Sequence, residues 1–230
     1  YDALLEDYTR AGVGRRVVAL RGFEQRFAAV NPAQLSEHAA GNRELLLSDV
    51  RSQLLTLEQI RPWERDPDSY SSGVSYSAFT IMARRFAPAN ERLRRLVARE
   101  RLMPAALEAA RANLRNPPAV STDIALEQLP GVIGFFRDDV PAAFADADDA
   151  GLRRDFAASN AVVVAALQSY QRWLKDELRP RSHGDFRLGA AVFRRKLLLD
   201  EMVDTPLPRL LATGMADLRR NQRDFARVAH

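Results

Sequence analysis

The 230-residue sequence contains no cysteine. Disulfides, thiolate metal sites and cysteine nucleophiles are therefore excluded, although this absence does not fix the compartment. Long apolar runs are also missing: the longest, Ala161–Leu167, has seven residues, whereas a membrane-spanning helix needs about 20. No signal peptide is visible. Because the first residue is Tyr1 rather than Met, we expect a trimmed N-terminus.

Histidine is scarce, with three residues far apart at His38, His183 and His230. A helical zinc hydrolase needs two histidines one turn apart with a glutamate beside the first, and no such element occurs. GVSYS at 73–77 ends in serine instead of the glycine of a hydrolase elbow. AGVGRRV at 11–17 lacks the third glycine of a dinucleotide-binding turn. We therefore predict neither catalytic residues nor metal ligands within the chain itself.

Lysine is almost absent, since 2 of the 34 basic residues are lysine and the rest are arginine. The net charge is +4, but the arginines alternate with acidic residues and form no basic tail. No recognition motif accompanies them, so we predict no nucleic-acid partner. The acidic segment 138–149 holds five aspartates without the glycine and closing glutamate of a calcium loop. We expect Asp148 and Asp149 to stabilise the N-terminal end of the helix that follows.

The sequence is rich in helical periodicity, strongest in segments 42–60, 152–178 and 207–228. In each segment the apolar residues recur every three or four positions, which predicts an amphipathic helix with one face to bury. The residues of these stripes are Leu46, Val50, Leu54 and Leu57; Phe156, Val163, Leu167, Tyr170, Leu174 and Leu178; and Leu207, Leu211, Leu218, Phe225 and Val228.

Proline and capping residues predict where other helices begin. Helices should start near Pro88 and Pro104, because proline fits the first helical turn, and Thr122 has the character of an N-cap. No segment alternates with period two. We therefore predict an all-α multi-helix array of long amphipathic antiparallel helices with little or no strand, in a single domain over residues 1–230.

The chemically richest stretch is RSHGDFRLG at 181–189. As a connection between helices, it would place Gly184 at a positive φ, Asp185 at the cap of the next helix and Phe186 in the core. That account leaves the side chains of His183 and Arg187 without a role. A histidine two residues from an aspartate can also polarise a substrate proton, so an enzyme complete in this chain stays open as an alternative.

Two aromatic residues, Trp63 and Tyr70, flank the proline-bent loop RPWERDPD at 61–68. The two prolines require the chain to leave the helix there. Aromatic side chains in such a loop either line a cleft or fasten the loop to the core. Both interpretations stand at this point.

Several short motifs in a fixed order carry a family resemblance. They are RPWERDPDSY at 61–70, APANERL at 87–93, RLMPAALEAARANL at 101–114 and GDFRLG at 184–189. Together they resemble the N-terminal half of the bacterial domain of unknown function 885 family. The resemblance implies a mostly helical protein related to zinc metallopeptidases of the thermolysin-like superfamily.

The family's zinc-binding element lies in a C-terminal half that this sequence does not include. The resemblance thus implies an N-terminal helical region that forms one wall of a peptide-binding cleft and is inert alone. Any zinc would be a cofactor of the missing half. We expect His183, Asp185, Arg187, Trp63 and Tyr70 to be candidates for this cleft. A periplasmic or lipoprotein location follows from the resemblance, and a cytoplasmic one otherwise.

An alternative that needs no missing half is a stand-alone helical module for protein interaction or scaffolding. The same amphipathic helices suit it, since an exposed apolar stripe can bind a partner helix. The reading frame beyond residue 230 separates the two interpretations. The sequence patterns do not indicate an oligomeric state.

Overall fold

A computed structural model describes residues 2–229, and this range contains helices and turns but no strand. The all-α prediction is therefore confirmed. The helices are α1 (Arg10–Ala29), α2 (Glu37–Leu55), α3 (Pro62–Arg65), α4 (Asp68–Ala83), α5 (Ala89–Glu100), α6 (Met103–Asn113), α7 (Ala119–Gly134), α8 (Val140–Ala143), α9 (Ala150–Trp173), α10 (Ala190–Glu201) and α11 (Leu207–Ala229).

The backbone divides into two compact units, and the boundary passes through α1 after Val17. Unit 1 comprises the residues up to Val17 together with Arg61–Phe186, and unit 2 comprises Val18–Ile60 and the residues from Arg187 onward. The expectation of a single domain over residues 1–230 stays a prediction.

Unit 1 has a continuous apolar core formed by α4, α5, α6, α7 and α9. The long helix α9 packs against α5, α6 and α7, and a π-helical turn extends it through Leu174–Leu178. The stripe predicted along this segment is confirmed, because all of its members are buried: Phe156, Val163, Leu167, Tyr170, Leu174 and Leu178. The period of 3.6 residues keeps these side chains on one face over the whole length.

Helix starts in unit 1 follow the prolines, as expected, for α5 and α6. The N-cap predicted at Thr122 is wrong, because α7 already begins at Ala119, directly after Pro118. The fixed φ of Pro118 suits the entry into a helix, so α7 starts four residues earlier than an N-cap at Thr122 predicts. Thr122 instead lies fully buried inside α7 and shares a hydrogen bond of 2.9 Å with the hydroxyl of Ser182.

Unit 2 is built around α2 and α10, which pack against each other. The Ser48 hydroxyl donates to the carbonyl of Leu199 at 2.7 Å. Leu46, expected on the buried stripe, is 45% exposed, and Leu47 is buried in its place. The other predicted members of this stripe are buried, namely Val50, Leu54 and Leu57.

The last helix, α11, contradicts the expectation that each stripe is buried. None of its described residues is buried. Its period was predicted correctly, but a sequence period shows which residues share a face and not whether another element covers that face.

Candidate functional site

The loop before α4 places Trp63 between two arginines. The guanidinium carbons of Arg10 and Arg61 lie 5.0 Å and 5.2 Å from the centre of its ring. Glu64 accepts hydrogen bonds from both arginines, at 2.7 Å and 2.8 Å. Arg61 adopts a left-handed backbone conformation with φ 56°, which turns the chain sharply before α3. Trp63 therefore lies half-buried between two cationic side chains, and both of them pair with the carboxylate of Glu64.

Tyr70 is fully buried and belongs to the core of unit 1. Its hydroxyl donates to the carbonyl of Trp63 at 2.5 Å and accepts from the amide of Asn113 at 3.0 Å. The same amide donates to the carbonyl of Tyr8 at 2.8 Å. Burial raises the pKa of Tyr70 to about 12, so the hydroxyl keeps its proton. Tyr70 thus fastens the loop to the core, which is one of the two interpretations that the sequence allows for the loop aromatics.

The stretch 181–189 is fastened at its start to the segment between α6 and α7. The backbone N–H of His183 donates to the side-chain oxygen of Asn116 at 2.8 Å. The N–H of Gly184 donates to the carbonyl of Pro117 at 3.1 Å. A Cβ atom at Gly184 would lie 2.5 Å from the carbonyl oxygen of Asn116, so only glycine permits this close approach.

Three expectations for this stretch are wrong. The glycine with positive φ is Gly189, at 78°, and not Gly184. Asp185 does not cap the next helix, because α10 begins at Ala190 with Gly189 before it. Phe186 is 61% exposed and does not enter the core. Gly184 instead approaches another segment closely, and the positive φ lies at Gly189, directly before α10.

The structure connects two of the candidate segments within unit 1. The guanidinium of Arg65 donates to the carbonyl of Asp185, which joins the Trp63 loop to the 181–186 segment. The side chains of His183 and Asp185 are exposed there. Arg187 is also exposed but belongs to unit 2. The assignment of these residues to a substrate cleft stays a prediction.

Sequence reasoning missed a buried carboxyl group, Glu100, at the end of α5. It is fully buried and accepts hydrogen bonds from the Ser159 hydroxyl and, at 3.2 Å, from the Asn160 amide on α9. Burial raises its pKa to about 7, and the two hydrogen bonds offset part of that rise. The signal in the sequence was its position, because Glu100 continues the apolar stripe of Leu93 and Leu96.

Asn160 also lines a surface groove of about 440 Å³ along α9. A second groove, of about 400 Å³, runs between α4 and α7 and is lined by Ser72, Ser75, Tyr76, Phe79, Gly131, Val132 and Phe135. Neither groove brings together acid, base and nucleophile. Among residues 2–229 no group of three or more histidine, aspartate or glutamate side chains is placed to hold a metal ion.

Comparison with known proteins agrees with the family resemblance. The family model described as "Bacterial protein of unknown function (DUF885)" matches residues 1–230. No curated protein matches the chain. A solved structure titled "The structure of a putative lipoprotein of unknown function from Shewanella oneidensis" is similar in fold, with a TM-score of 0.84 and 24% identity. The similarity covers 98% of this chain and 42% of that protein, so the chain spans less than half of its length. The chain belongs to the bacterial DUF885 family.

Proposed function

We propose that this chain forms a helical wall of a substrate cleft in a larger zinc-peptidase-like protein and is inert by itself. The observation that carries the proposal is the fold match, which covers nearly all of this chain but 42% of the similar protein. A fold that recurs inside a longer chain is suited to support chemistry located elsewhere in that chain. The peptidase assignment comes from the family resemblance, as does the peptide as substrate.

The cofactor proposal also separates this chain from the rest of the longer protein. Zinc would be held by the part of the longer protein outside this chain, since no ligand cluster occurs among the described residues. This chain would contribute shape and substrate contacts. The two arginines beside Trp63 can bind a peptide carboxylate, and exposed His183 and Asp185 can bind the backbone groups of a peptide. Arg187, in unit 2, is a separate candidate for the same kind of contact.

The location proposal rests on the similar protein from Shewanella oneidensis, which is described as a "putative lipoprotein". We propose a periplasmic or lipid-anchored location for the complete gene product. None of the helices within residues 2–229 is both long and apolar enough to cross a membrane. Fractionation of cells that express the complete gene product tests this proposal, and recovery in the cytoplasm alone would contradict it.

A single substitution tests the cleft assignment in the complete gene product. His183→Ala keeps the hydrogen bond to Asn116, because that bond comes from the backbone N–H. Loss of a contact made equally to substrate and transition state raises KM and leaves kcat unchanged. We expect KM for a peptide to rise about threefold to tenfold, the loss of one polar contact of about 1 kcal/mol.

The matched control is His38→Ala, since His38 is an exposed histidine on α2 in unit 2. It should leave both kinetic constants unchanged. Unchanged KM in the His183 variant would remove His183 from the cleft.

A stand-alone interaction module is the second candidate function. The groove between α4 and α7 favours it, because Tyr76 and Phe79 are 67% and 46% exposed there. Large apolar side chains grouped at a surface mark sites of protein interaction. A reading frame that stops directly after codon 230 would support this candidate, and continuation into a histidine-containing helical region would remove it.

A further inference from the structure

The helix α11 presents an apolar stripe of which no residue is buried. Leu211, Phe225 and Val228 are 67%, 77% and 82% exposed, and Leu218 is 47% exposed. At 100° per residue these positions fall within one side of the helix, together with Leu207. The stripe therefore runs along the whole of Leu207–Ala229.

A helix in this situation has little to stabilise it. Its 23 residues include no buried side chain, and most of the stability of a protein helix comes from tertiary packing of its apolar face. Full burial of one leucine, valine or phenylalanine contributes about 1.5–3 kcal/mol. Covering the stripe would therefore stabilise α11 strongly, which indicates that another surface packs on it.

The charges on α11 are arranged around the stripe in a definite order. The side opposite the stripe carries the arginines, namely Arg209, Arg219, Arg220, Arg223 and Arg227. Asp217 and Asp224 lie nearer the stripe and pair with Arg220 and Arg227. Asn221 and Gln222 interrupt the stripe between Leu218 and Phe225.

Two features at the stripe favour a protein partner over a lipid surface. The arginines do not distinguish the two, because a helix in a membrane interface also carries its cations on the face away from its apolar side. Asp217 and Asp224, at the edge of the stripe, would lie near the headgroups and repel anionic lipid. Polar amides within an apolar seam are typical of helix packing, where they fix the register of the partner helix.

The size of the similar protein favours one kind of protein partner. Its chain contains this fold in 42% of its length, so in that protein the fold adjoins a large remainder. We propose that the stripe of α11 docks against a helix of the remaining part of a longer DUF885 polypeptide. The proposal rests on the proposed function in one respect, that the chain is a portion of a longer protein. It is independent of peptidase activity.

Thiol labelling tests this contact, because the chain has no cysteine of its own. Leu218→Cys places a reporter on the stripe, and Ala216→Cys places the matched control on the opposite, exposed side. Each is made in the complete gene product, with any cysteine outside residues 1–230 replaced by serine, and in the 230-residue chain. Far-ultraviolet circular dichroism checks that each variant is folded, and Leu211→Cys replaces Leu218→Cys if the latter is not.

In the complete gene product, we expect the thiol at 218 to react at least about tenfold more slowly than the thiol at 216, as a packed position requires. In the 230-residue chain the two should react at similar rates. Equal rates in the complete product, or a reading frame that ends at codon 230, would overturn the proposal.

The other occupants of the stripe give different results. Protection in the 230-residue chain that increases with protein concentration would show a second copy on the stripe. Protection that requires phosphatidylglycerol vesicles would show a membrane surface. Either result would overturn the proposal. A protected stripe in a complete product that hydrolyses no peptide would keep this contact and refute the peptidase function alone.

Discussion

At the scale of single residues, Glu100 is the group whose chemistry depends most on the fold. Its pKa rises from 4.5 to about 7 on burial, so the folded chain favours the neutral carboxyl group. The stabilising effect of the neutral form is fully present below the unfolded pKa. It is lost as the pH rises through the folded pKa, because the carboxylate must then lie in the interior.

Glu100→Gln should remove this dependence, since the amide stays neutral. The free energy of unfolding of the unmodified chain should fall between about pH 4.5 and about pH 7. Over that window the free energy of unfolding of the variant should rise relative to that of the unmodified chain, by up to about 3 kcal/mol at 1.36 kcal/mol per pKa unit. Urea unfolding across the window measures the difference.

Glu91→Gln is the matched control for this prediction, because Glu91 is an exposed glutamate on the same helix. Parallel stability profiles for Glu100→Gln and the unmodified chain would show that Glu100 titrates normally.

Residue roles were predictable from the sequence only in part. The prolines located the loop that carries Tyr70, but its role in fastening the loop follows from its burial and its hydrogen bonds to Trp63 and Asn113 in the structure. Gly184 could not be assigned, because its close approach to Asn116 joins segments 68 positions apart. Glu100 was missed although it continues an apolar stripe, and its partners Ser159 and Asn160 gave no signal because only the structure places α9 beside it.

At the scale of elements, Asp149 shows how one side chain fixes a helix end. Its carboxylate accepts a hydrogen bond of 2.9 Å from the N–H of Leu152, and α9 begins at the next residue, Ala150. The expectation that an aspartate stabilises this helix end is thus confirmed. Asp148 accepts instead from the side chain of Asn90, at 2.6 Å.

Asp149→Ala should lower the free energy of unfolding by about 1 kcal/mol, the usual cost of an N-cap deletion. Urea unfolding at neutral pH measures it. Asp146→Ala, at an exposed position three residues earlier, should change stability by less than about 0.5 kcal/mol. Equal effects of the two substitutions would show that the carboxylate of Asp149 does not stabilise the start of α9.

The periods of the helices were predictable from the sequence, but the burial of their apolar faces was not. The stripe of α9 is buried as its pattern predicts, whereas the equally regular stripe of α11 is exposed. A period depends on neighbours in sequence, and burial depends on which elements the rest of the protein provides. The start of α7 was missed by four residues because Pro118 determines the helix entry more strongly than the capping character of Thr122.

At the scale of the whole molecule, this DUF885 chain has an all-α fold that covers 42% of the similar Shewanella oneidensis protein. The fold class and the family were accessible from helical periods and motif order. The chemistry of the protein was not accessible from the sequence, since no cluster of metal ligands occurs among the described residues. Under the proposed function, any zinc would be held outside this chain.

Zinc stoichiometry, measured by atomic emission on the purified 230-residue chain and on the complete gene product, tests this central claim most directly. We expect less than about 0.1 zinc per 230-residue chain, because a structural or catalytic zinc site needs at least three protein ligands in one place. We expect about one zinc per complete product, lost on treatment with a chelator together with any peptide hydrolysis. Stoichiometric, tightly bound zinc on the 230-residue chain would contradict the account.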